Sequence, residues 1–325
     1  MIHYETEYAG LTLKNPLIAG SSGLTGDAER NRELEKAGAG AIVLKSLFEE
    51  QMEMQSDALM HDGDAPDADE YVRGYVKARQ MEEYLSLIKD TKKDCSIPVI
   101  ASINCYRVDA WADFAAQVEA AGADALELNV FYLYTELDFR PGEAVERYVS
   151  ILRRVKERVS IPVIMKIGKS FTNIPALVNR LKLNGADGVV LFNRYYQPDI
   201  NIHTMQIVSG QVFSSRSDLS ETLRWTALVS GKVPGISIAS STGVHDWEDV
   251  VKCLLAGASA VQLCSVLYTH GVEVIPQMLA CMEEWMLHTK YRAIDEFVGK
   301  LSFAGMENQT LYERSQFMKY FSSRD

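Results

Sequence analysis

The stretch PVIMKIGKSFTNIPALVNRLKLNGADGVVLFN, residues 162–193, decides the fold. It opens with a short apolar run, continues through Ile174–Asn184 with apolar residues three and four positions apart, and closes with a second apolar run. Short continuous runs rich in Val and Ile are typical of buried parallel strands, and the spacing between them is that of an amphipathic helix. The stretch therefore predicts one strand–helix–strand unit.

The same unit recurs along the whole chain. Eight apolar runs, many of them introduced by Ala-Gly-Ala or Ile-Pro, are predicted to be strands: Pro16–Gly20, Ala41–Lys45, Pro98–Asn104, Ala125–Asn129, Pro162–Lys166, Gly188–Asn193, Gly235–Ser240 and Ala260–Cys264. Helix-like segments lie between most of them. Eight strands that alternate with helices favour an α/β fold of the (β/α)₈ TIM-barrel type, and a doubly wound sheet with a second small domain is the alternative.

The connection after the second predicted strand is too long for a simple crossover. It contains the acidic run His61–Glu70 and then a helix-like segment, Tyr71–Lys89. Acidic side chains could form a divalent-cation loop, but the ligand spacing of a calcium-binding hand is missing. The run is therefore interpreted as a solvated loop.

The connection after the sixth predicted strand, residues 194–232, is also long. Its alternating segments Ile200–Ile207 and Gln211–Ser214 flank Ser209-Gly210, which predicts a hairpin that turns at Gly210. Because both insertions follow barrel strands, we expect them on the carboxyl-terminal face of the barrel, where they would form a lid.

Composition excludes several classes of protein. The chain has 325 residues, 33 Lys+Arg against 44 Asp+Glu and a net charge of −11, which argues against a general nucleic-acid binder. No apolar stretch approaches the ~20 residues of a membrane span, and the first residues lack a signal-peptide core. The five cysteines are scattered without a CxxC pair, which indicates reduced thiols and a cytoplasmic protein. We expect one barrel domain over residues 1–325, ending in a helical tail at 301–325.

The residues at the predicted strand ends indicate the chemistry of the barrel mouth. They are Gly20-Ser21, Lys45-Ser46, Asn104, Asn129, Lys166, Asn193, Ser240–Gly243 and Cys264-Ser265. No His, Asp or Glu stands among them, so neither a metal centre nor a pair of catalytic carboxylates is predicted. Asparagine amides suit planar uncharged ligands, and lysines suit anions or developing negative charge.

The ends of the last two strands predict a phosphate site. Ser241, Thr242 and Gly243 precede a helix that begins near Trp247, and Cys264-Ser265 ends the neighbouring strand. Such loops present backbone N–H groups and hydroxyls to an anion at the usual phosphate position of a barrel. The alternative is a loop that only caps the helix.

The two strand-end lysines, Lys45 and Lys166, allow more than one role. Either could form a Schiff base, as in aldolases, or could bridge carboxylates of neighbouring strands. An electrostatic role beside the anionic part of a cofactor is favoured for the pair.

Eight motifs, in their order and spacing, carry a resemblance. They are Leu13–Leu17, Gly20–Gly23, Ala37–Ser46, Ala123–Asn129, Pro162–Lys166, Gly188–Asn193, Ser241–Val244 and Leu255–Ala258. Together they resemble the dihydroorotate dehydrogenases, which are FMN enzymes built on an α/β barrel, and are also similar to the barrel of dihydropyrimidine dehydrogenase. The resemblance covers the chain from about Leu11 to Leu301.

The resemblance implies an FMN site and a substrate site. The residues implied to line the flavin ring are Gly20, Ser21, Lys45 and Ser46, with Lys166 at its pyrimidine edge. Those implied to hold the phosphate are Thr242, Gly243, Cys264 and Ser265, beside Ser241. Asn129 and Asn193, next to the cofactor, would bind a planar substrate.

The chain departs from the family pattern where the substrate proton is handled. Tyr132 stands in place of the family's catalytic Cys or Ser, Tyr134 replaces an amide that binds substrate, and Arg194 replaces a hydroxyl residue. A tyrosine with a pKa near ~10 is a poor base at neutral pH, so Tyr132 is predicted to act as a hydrogen-bond donor or acid. Cys105 or Tyr106, from the third strand, is the alternative acid or base, and Lys45 is a further candidate catalytic residue.

The sequence thus predicts an FMN-dependent oxidoreductase that acts on CH–CH bonds of a small dihydropyrimidine-like molecule, dihydroorotate being one possibility. A homodimer is expected, with no nucleic-acid or membrane partner and no metal. Two alternatives stay open: a phosphate-binding barrel lyase or aldolase, and a flavin-binding paralogue without catalytic activity.

Overall fold

Eight parallel strands form a closed barrel in the computed structural model, which describes residues 2–59, 66–104 and 108–314. The barrel strands are β1 Leu17–Ala19, β2 Ala41–Val43, β3 Val99–Asn104, β4 Ala125–Asn129, β5 Val163–Ile167, β6 Gly188–Leu191, β7 Ser237–Ser241 and β8 Ala260–Leu263. Each strand pairs in parallel with the next, and β8 pairs with β1. This closure confirms the predicted TIM barrel and excludes the doubly wound sheet.

Eight helices surround the barrel. They are α1 Ala28–Lys36, α2 Pro66–Asp94, α3 Val108–Ala120, α4 Pro141–Lys156, α5 Ile174–Leu183, α6 Leu219–Lys232, α7 Trp247–Ala256 and α8 Val274–Thr289. Helix α7 shows how the sequence sets their limits. The Asp246 side chain accepts a hydrogen bond from the Asp249 N–H at its start, and Gly257, with φ 105°, ends it in the left-handed region.

Shorter elements complete the described chain. They are the strands Thr6–Tyr8, Leu11–Leu13, Leu47–Phe48, Pro198–Asn201 and Gln206–Ser209, the α-helices Glu49–Leu59, Ser265–His270 and Thr310–Glu313, and the 3₁₀ turns Gly23–Thr25, Arg216–Asp218 and Ile294–Glu296. The N-terminal pair of strands is an antiparallel hairpin whose Tyr8 and Leu13 are fully buried.

The barrel interior is apolar near the amino-terminal ends of its strands and polar just below the mouth at their carboxyl-terminal ends. Tyr8 and Leu13 pack with Ile18, Ile100 and Ile164 in one interior cluster. The same cluster contains Ala125 and Ala260. Side chains alternate between the two faces of a strand, so in β3, β4, β5 and β8 the residue two positions after the cluster member also points inward. These residues are Ser102, Glu127, Lys166 and Gln262, all of them buried. A polar layer therefore lies directly beneath the mouth.

The hairpin after β6 turns at a different place from the one predicted. Pro198–Asn201 pairs with Gln206–Ser209, so the turn lies at residues 202–205 and the expected turn at Gly210 is wrong. The Asn201 side chain accepts hydrogen bonds from the N–H groups of His203 and Thr204, at 3.0 and 3.1 Å, which closes the turn. Gly210 is needed for a close approach, since a Cβ there would lie 2.8 Å from the Gln197 carbonyl oxygen.

The insertion after β2 is mostly helical. It contains the helix Glu49–Leu59 and then α2, which extends beyond the predicted Tyr71–Lys89 at both ends. The first part of the acidic run, residues 61–65, lies outside the described residues. At the C-terminal end, Thr310–Glu313 is helical and the Tyr312 hydroxyl donates to the Leu301 carbonyl at 2.6 Å. Residues 315–325 of the predicted helical tail are likewise not described.

Candidate functional site

The main cavity opens at the carboxyl ends of β1, β5, β6, β7 and β8 and has a volume of about 570 Å³. The predicted site residues that line it are Gly20, Ser21, Lys166, Asn193, Ser241, Thr242, Gly243, Cys264 and Ser265. The structure thus brings together residues from five strand ends that are far apart in the sequence.

The floor of this cavity carries a buried ion pair. Lys166 Nζ lies 3.2 Å from Glu127 Oε1 and 3.4 Å from Gln262 Oε1, and Gln262 Nε2 donates to Glu127 Oε2 at 2.6 Å. Burial raises the pKa of the neighbouring Cys264 thiol, and the positive charge of Lys166 opposes that rise. Lys166 thus bridges to a carboxylate of the neighbouring strand β4, which is the alternative predicted for it, and its place in the cavity lining also allows the electrostatic role.

The two amides predicted to bind substrate meet beside that floor. Asn193 Nδ2 donates to Asn129 Oδ1 at 2.8 Å, across the ends of β4 and β6. Asn129 is buried, whereas Asn193 reaches the cavity. The Asn193 amide is therefore held by Asn129 at one N–H, while Asn193 itself lines the cavity.

The loop after β7 is shaped to hold an anion. Thr242 and Gly243 have φ values of 79° and 89°, and Thr242 Oγ1 donates to the Phe192 carbonyl at 3.0 Å. Among the described residues, nothing accepts from the backbone N–H groups of Thr242, Gly243, Cys264 and Ser265. Successive free N–H groups in such a loop form an anion-binding concavity.

A segment of the insertion after β6, Gln211–Ser215, closes over that loop. The Ser214 N–H and hydroxyl donate to Ser265 Oγ at 2.9 and 3.0 Å, and Ser214 Oγ lies 3.2 Å from His245 Nε2. The Ser265 hydroxyl is thus engaged by this lid segment. Its backbone N–H is the group left for a ligand.

Arg194 fixes the same lid segment. Its guanidinium donates to the carbonyls of Gln211 and Val212, at 2.8 and 3.1 Å, and lies 3.2 Å from Asp218 Oδ2. Arg194, which stands at the position of a hydroxyl residue in the family pattern, therefore holds the lid segment in this chain.

Lys45 and Ser46 line a second cavity, of about 430 Å³, beside the helix Glu49–Leu59. The Lys45 side chain is exposed and packs over Gly26, so the structure does not place it with Lys166. Ser46 links the two cavities, because its Oγ lies 3.0 Å from Ser21 Oγ and 2.7 Å from Ser102 Oγ.

Tyr132 and Tyr134 line a third cavity, of about 510 Å³, between the loop after β4 and helix α4. The Arg147 guanidinium carbon lies 3.9 Å from the centroid of the Tyr132 ring, and the Tyr134 ring stacks on Phe139 at 4.0 Å. Burial raises the pKa of Tyr134, although the charge of Arg147 opposes this. The structure thus places Tyr132 and Tyr134 apart from the Lys166 cavity. Cys105 and Tyr106 lie outside the described residues.

Two further structural findings concern membranes and metals. Across residues 2–59, 66–104 and 108–314, no helix is long and apolar enough to cross a bilayer. The same part of the chain contains no group of three or more His, Cys, Asp or Glu side chains that could hold a metal ion.

The family model for dihydroorotate dehydrogenase matches residues 73–286, which is more than half of the chain. The chain belongs to this family.

Curated relatives named as dihydroorotate dehydrogenases align with this chain over nearly its whole length. The catalytic subunit of dihydroorotate dehydrogenase B (NAD(+)) from Thermoplasma volcanium is 25% identical over 92% of this chain and 98% of its own. The corresponding subunit from Methanosarcina acetivorans is 29% identical over 89% and 93%. A putative dihydroorotate dehydrogenase A (fumarate) from Aeropyrum pernix is 28% identical over 90% and 95%.

Members of the dihydroorotate dehydrogenase family are FMN-dependent oxidoreductases that act on CH–CH bonds, and this chain is one of them. Its main cavity fits FMN on structural grounds. The free N–H groups at Thr242, Gly243, Cys264 and Ser265 match a phosphate, and the ammonium of buried Lys166 matches an anionic ring edge. The two features lie in one cavity.

Sequence reasoning missed Glu127, Gln262, Ser102 and Tyr195. The first three are polar residues inside apolar strand runs (ALELN, AVQLC and ASIN), a signal that inspection of strand ends overlooks. Tyr195 lines the main cavity and lies 4.2 Å from the Phe131 ring, centroid to centroid. A Cβ on Gly168 would collide with its hydroxyl, so the glycine after β5 makes room for this tyrosine.

Proposed function

We propose that this enzyme transfers hydride between FMN and a planar dihydropyrimidine-like substrate in the main cavity. The observation that carries the proposal is the Asn193–Asn129 pair beside buried Lys166, because amide groups match the alternating donors and acceptors of a pyrimidine ring. FMN, when bound, supplies the hydride acceptor or donor. In this proposal Lys166 stabilises negative charge, Asn193 orients the substrate, and the lid segment excludes water.

The proton step is proposed to involve Tyr132 Oη: the phenol donates a proton to the substrate carbon when the pyrimidine is reduced, and the phenolate takes that proton back when a dihydropyrimidine is oxidised. Tyr132 stacks against Arg147 in the third cavity, so reaching the substrate requires the loop after β4 to move. Replacing Tyr132 with Phe removes the hydroxyl and keeps the ring. Slower reaction with unchanged FMN content would support this role, and an unchanged rate would remove it.

The substrate class can be tested by mixing the FMN-loaded enzyme anaerobically with dihydroorotate, dihydrouracil and dihydrothymine. We expect at least one of them to bleach the flavin absorbance. Asn193→Ala should slow that bleaching by about tenfold or more, as expected when a polar substrate contact is lost, whereas Asn179→Ala on the exposed face of α5 should not. If dithionite bleaches the flavin and no dihydropyrimidine does, the proposed substrate class is wrong.

We also infer a homodimer built on the hairpin after β6. Ile200, Met205 and Ile207 are 68%, 85% and 75% exposed, and a two-stranded hairpin is marginally stable when nothing covers it. The same apolar surface on a second copy would cover it with two-fold symmetry. Sedimentation should show a dimer that Ile207→Lys converts to a monomer, while Leu183→Lys, at an exposed site on α5, leaves it intact; a monomeric wild type would contradict the inference. We also propose a cytoplasmic location, because the five cysteines are scattered without a CxxC pair, as is usual for reduced thiols.

A further inference from the structure

Glu127 is a charged residue that the roles above do not use. Its side chain is fully buried, and each carboxylate oxygen accepts one hydrogen bond: Oε1 from Lys166 Nζ at 3.2 Å and Oε2 from Gln262 Nε2 at 2.6 Å. Gln262 Oε1 in turn lies 3.4 Å from Lys166 Nζ. The three side chains thus form a closed triangle below the barrel mouth.

Among the described residues, the one ion pair of Glu127 is with Lys166. Tyr8 lies below the triangle, and its hydroxyl has no hydrogen-bond partner within the described part of the chain. Burial raises the pKa of Tyr8 well above its ordinary value, and the negative charge of Glu127 adds to the rise. Lys166 therefore supplies the positive charge that balances Glu127.

Lys166 and Gln262 connect Glu127 to the cavity. Both side chains line the main cavity and both bond Glu127, which lies below them in the barrel interior. An ion pair of this kind seldom stabilises a fold more than apolar residues of the same size would, because both charges lose their water. The ion pair does, however, hold the Lys166 ammonium in one position, and the negative charge of Glu127 partly cancels the positive charge of Lys166 at the barrel mouth.

We propose that Glu127, oriented by Gln262, is a positioning residue that holds the Lys166 ammonium and offsets its charge, and thereby lowers the reduction potential of bound FMN. Reduced FMN carries negative charge, so a positive group nearby favours reduction and a negative group behind it opposes reduction. This proposal rests on the proposed placement of the flavin ring beside Lys166.

The test compares the two-electron reduction potential of bound FMN in the wild type and in Glu127→Gln. The variant keeps the shape of the side chain and removes its charge. We expect the equilibrium to shift about tenfold toward reduced FMN, which is about 30 mV for a two-electron couple. Glu127→Asp, which keeps the charge, should retain most of the wild-type potential. Thr226→Val, which breaks the buried 2.8 Å Thr226–Ser240 hydrogen bond away from the cavity, controls for general destabilisation.

Thermal unfolding of the apo-protein provides a second readout that needs no cofactor. Glu127→Gln and Lys166→Met should each lower Tm, and the double variant should lower it by less than the sum, because it leaves neither charge unpaired. Additive losses of Tm, or a Glu127→Gln enzyme with the wild-type potential, would overturn the proposal. If Lys166→Met binds FMN with unchanged affinity and potential, the proposed placement of the flavin has failed instead.

Discussion

Replacing Gly243 with Ala should weaken FMN binding by a predictable amount. Gly243 has φ 89°, where a residue with a Cβ is strained by ~1–2 kcal/mol. The added Cβ would also collide with the Leu219 backbone nitrogen and would lie 2.7 Å from Leu219 Cα and 2.9 Å from the Asp218 carbonyl carbon. Carbon atoms normally pack at about 3.5 Å or more, so the loop after β7 must move by more than roughly 0.8 Å, because the nitrogen is nearer still.

That movement displaces N–H groups proposed to bind the FMN phosphate. Losing one charge-assisted hydrogen bond costs about 1.5–3 kcal/mol, which corresponds to roughly 10- to 150-fold weaker binding. The assay is titration of apo-protein with FMN, followed by quenching of flavin fluorescence, together with urea unfolding of each apo-protein to measure its stability.

Gly122 offers a matched control. It also has a left-handed φ, 96°, but nothing lies within 4 Å of a Cβ built on it, and it lies at the end of α3 away from the cavity. Gly122→Ala should therefore lose stability through backbone strain and keep the wild-type affinity for FMN. The reasoning is refuted if Gly243→Ala binds FMN as tightly as the wild type, or if both variants lose affinity equally.

Two further predictions concern the lid segment and alkaline pH. Arg194→Gln should release residues 211–218, because it removes the charged bonds to Gln211, Val212 and Asp218. Trypsin should then cleave the variant at Arg216 faster than the wild type, by about tenfold or more. Arg158→Gln, at an exposed site, should leave the cleavage rate unchanged, and equal cleavage of the two variants would contradict this prediction. Burial raises the pKa of Tyr4 to about 12 and raises those of Tyr84 and Tyr148 further, so the folded state retains protons that the unfolded state loses near pH ~10. That stability is present below pH ~10 and is lost as the pH rises toward 12, so the urea midpoint should fall over this range; a flat midpoint would count against the burial of these hydroxyls.

The barrel was predictable because buried parallel strands need uninterrupted apolar runs. The runs at Pro98–Asn104 and Ala125–Asn129 coincide with β3 and β4 almost residue for residue. The turn of the hairpin after β6 could not be placed from local sequence, because both Asn201 and Gly210 are residue types that favour turns. The hydrogen bonds of Asn201 decide the turn, while Gly210 serves a close approach to Gln197.

The candidate site was predictable at strand ends and less so elsewhere. The places of Lys166 and of the loop after β7, proposed to bind phosphate, follow from position alone, because the last residues of parallel strands lie at one face of the barrel. Glu127 and Gln262 required knowledge of which face of each strand points inward. The separate locations of Lys45 and Tyr132 depend on how the long insertions pack, and their local sequence does not encode that packing.

FMN binding in the main cavity is tested by the visible absorption spectrum of the purified protein, with its cofactor identified after denaturation. We expect a flavin spectrum with one FMN per chain, and loss of that FMN in Lys166→Ala. A colourless protein that takes up no added FMN would show that this cavity does not hold FMN, and a Lys166→Ala variant with wild-type FMN content would show that Lys166 does not contact it.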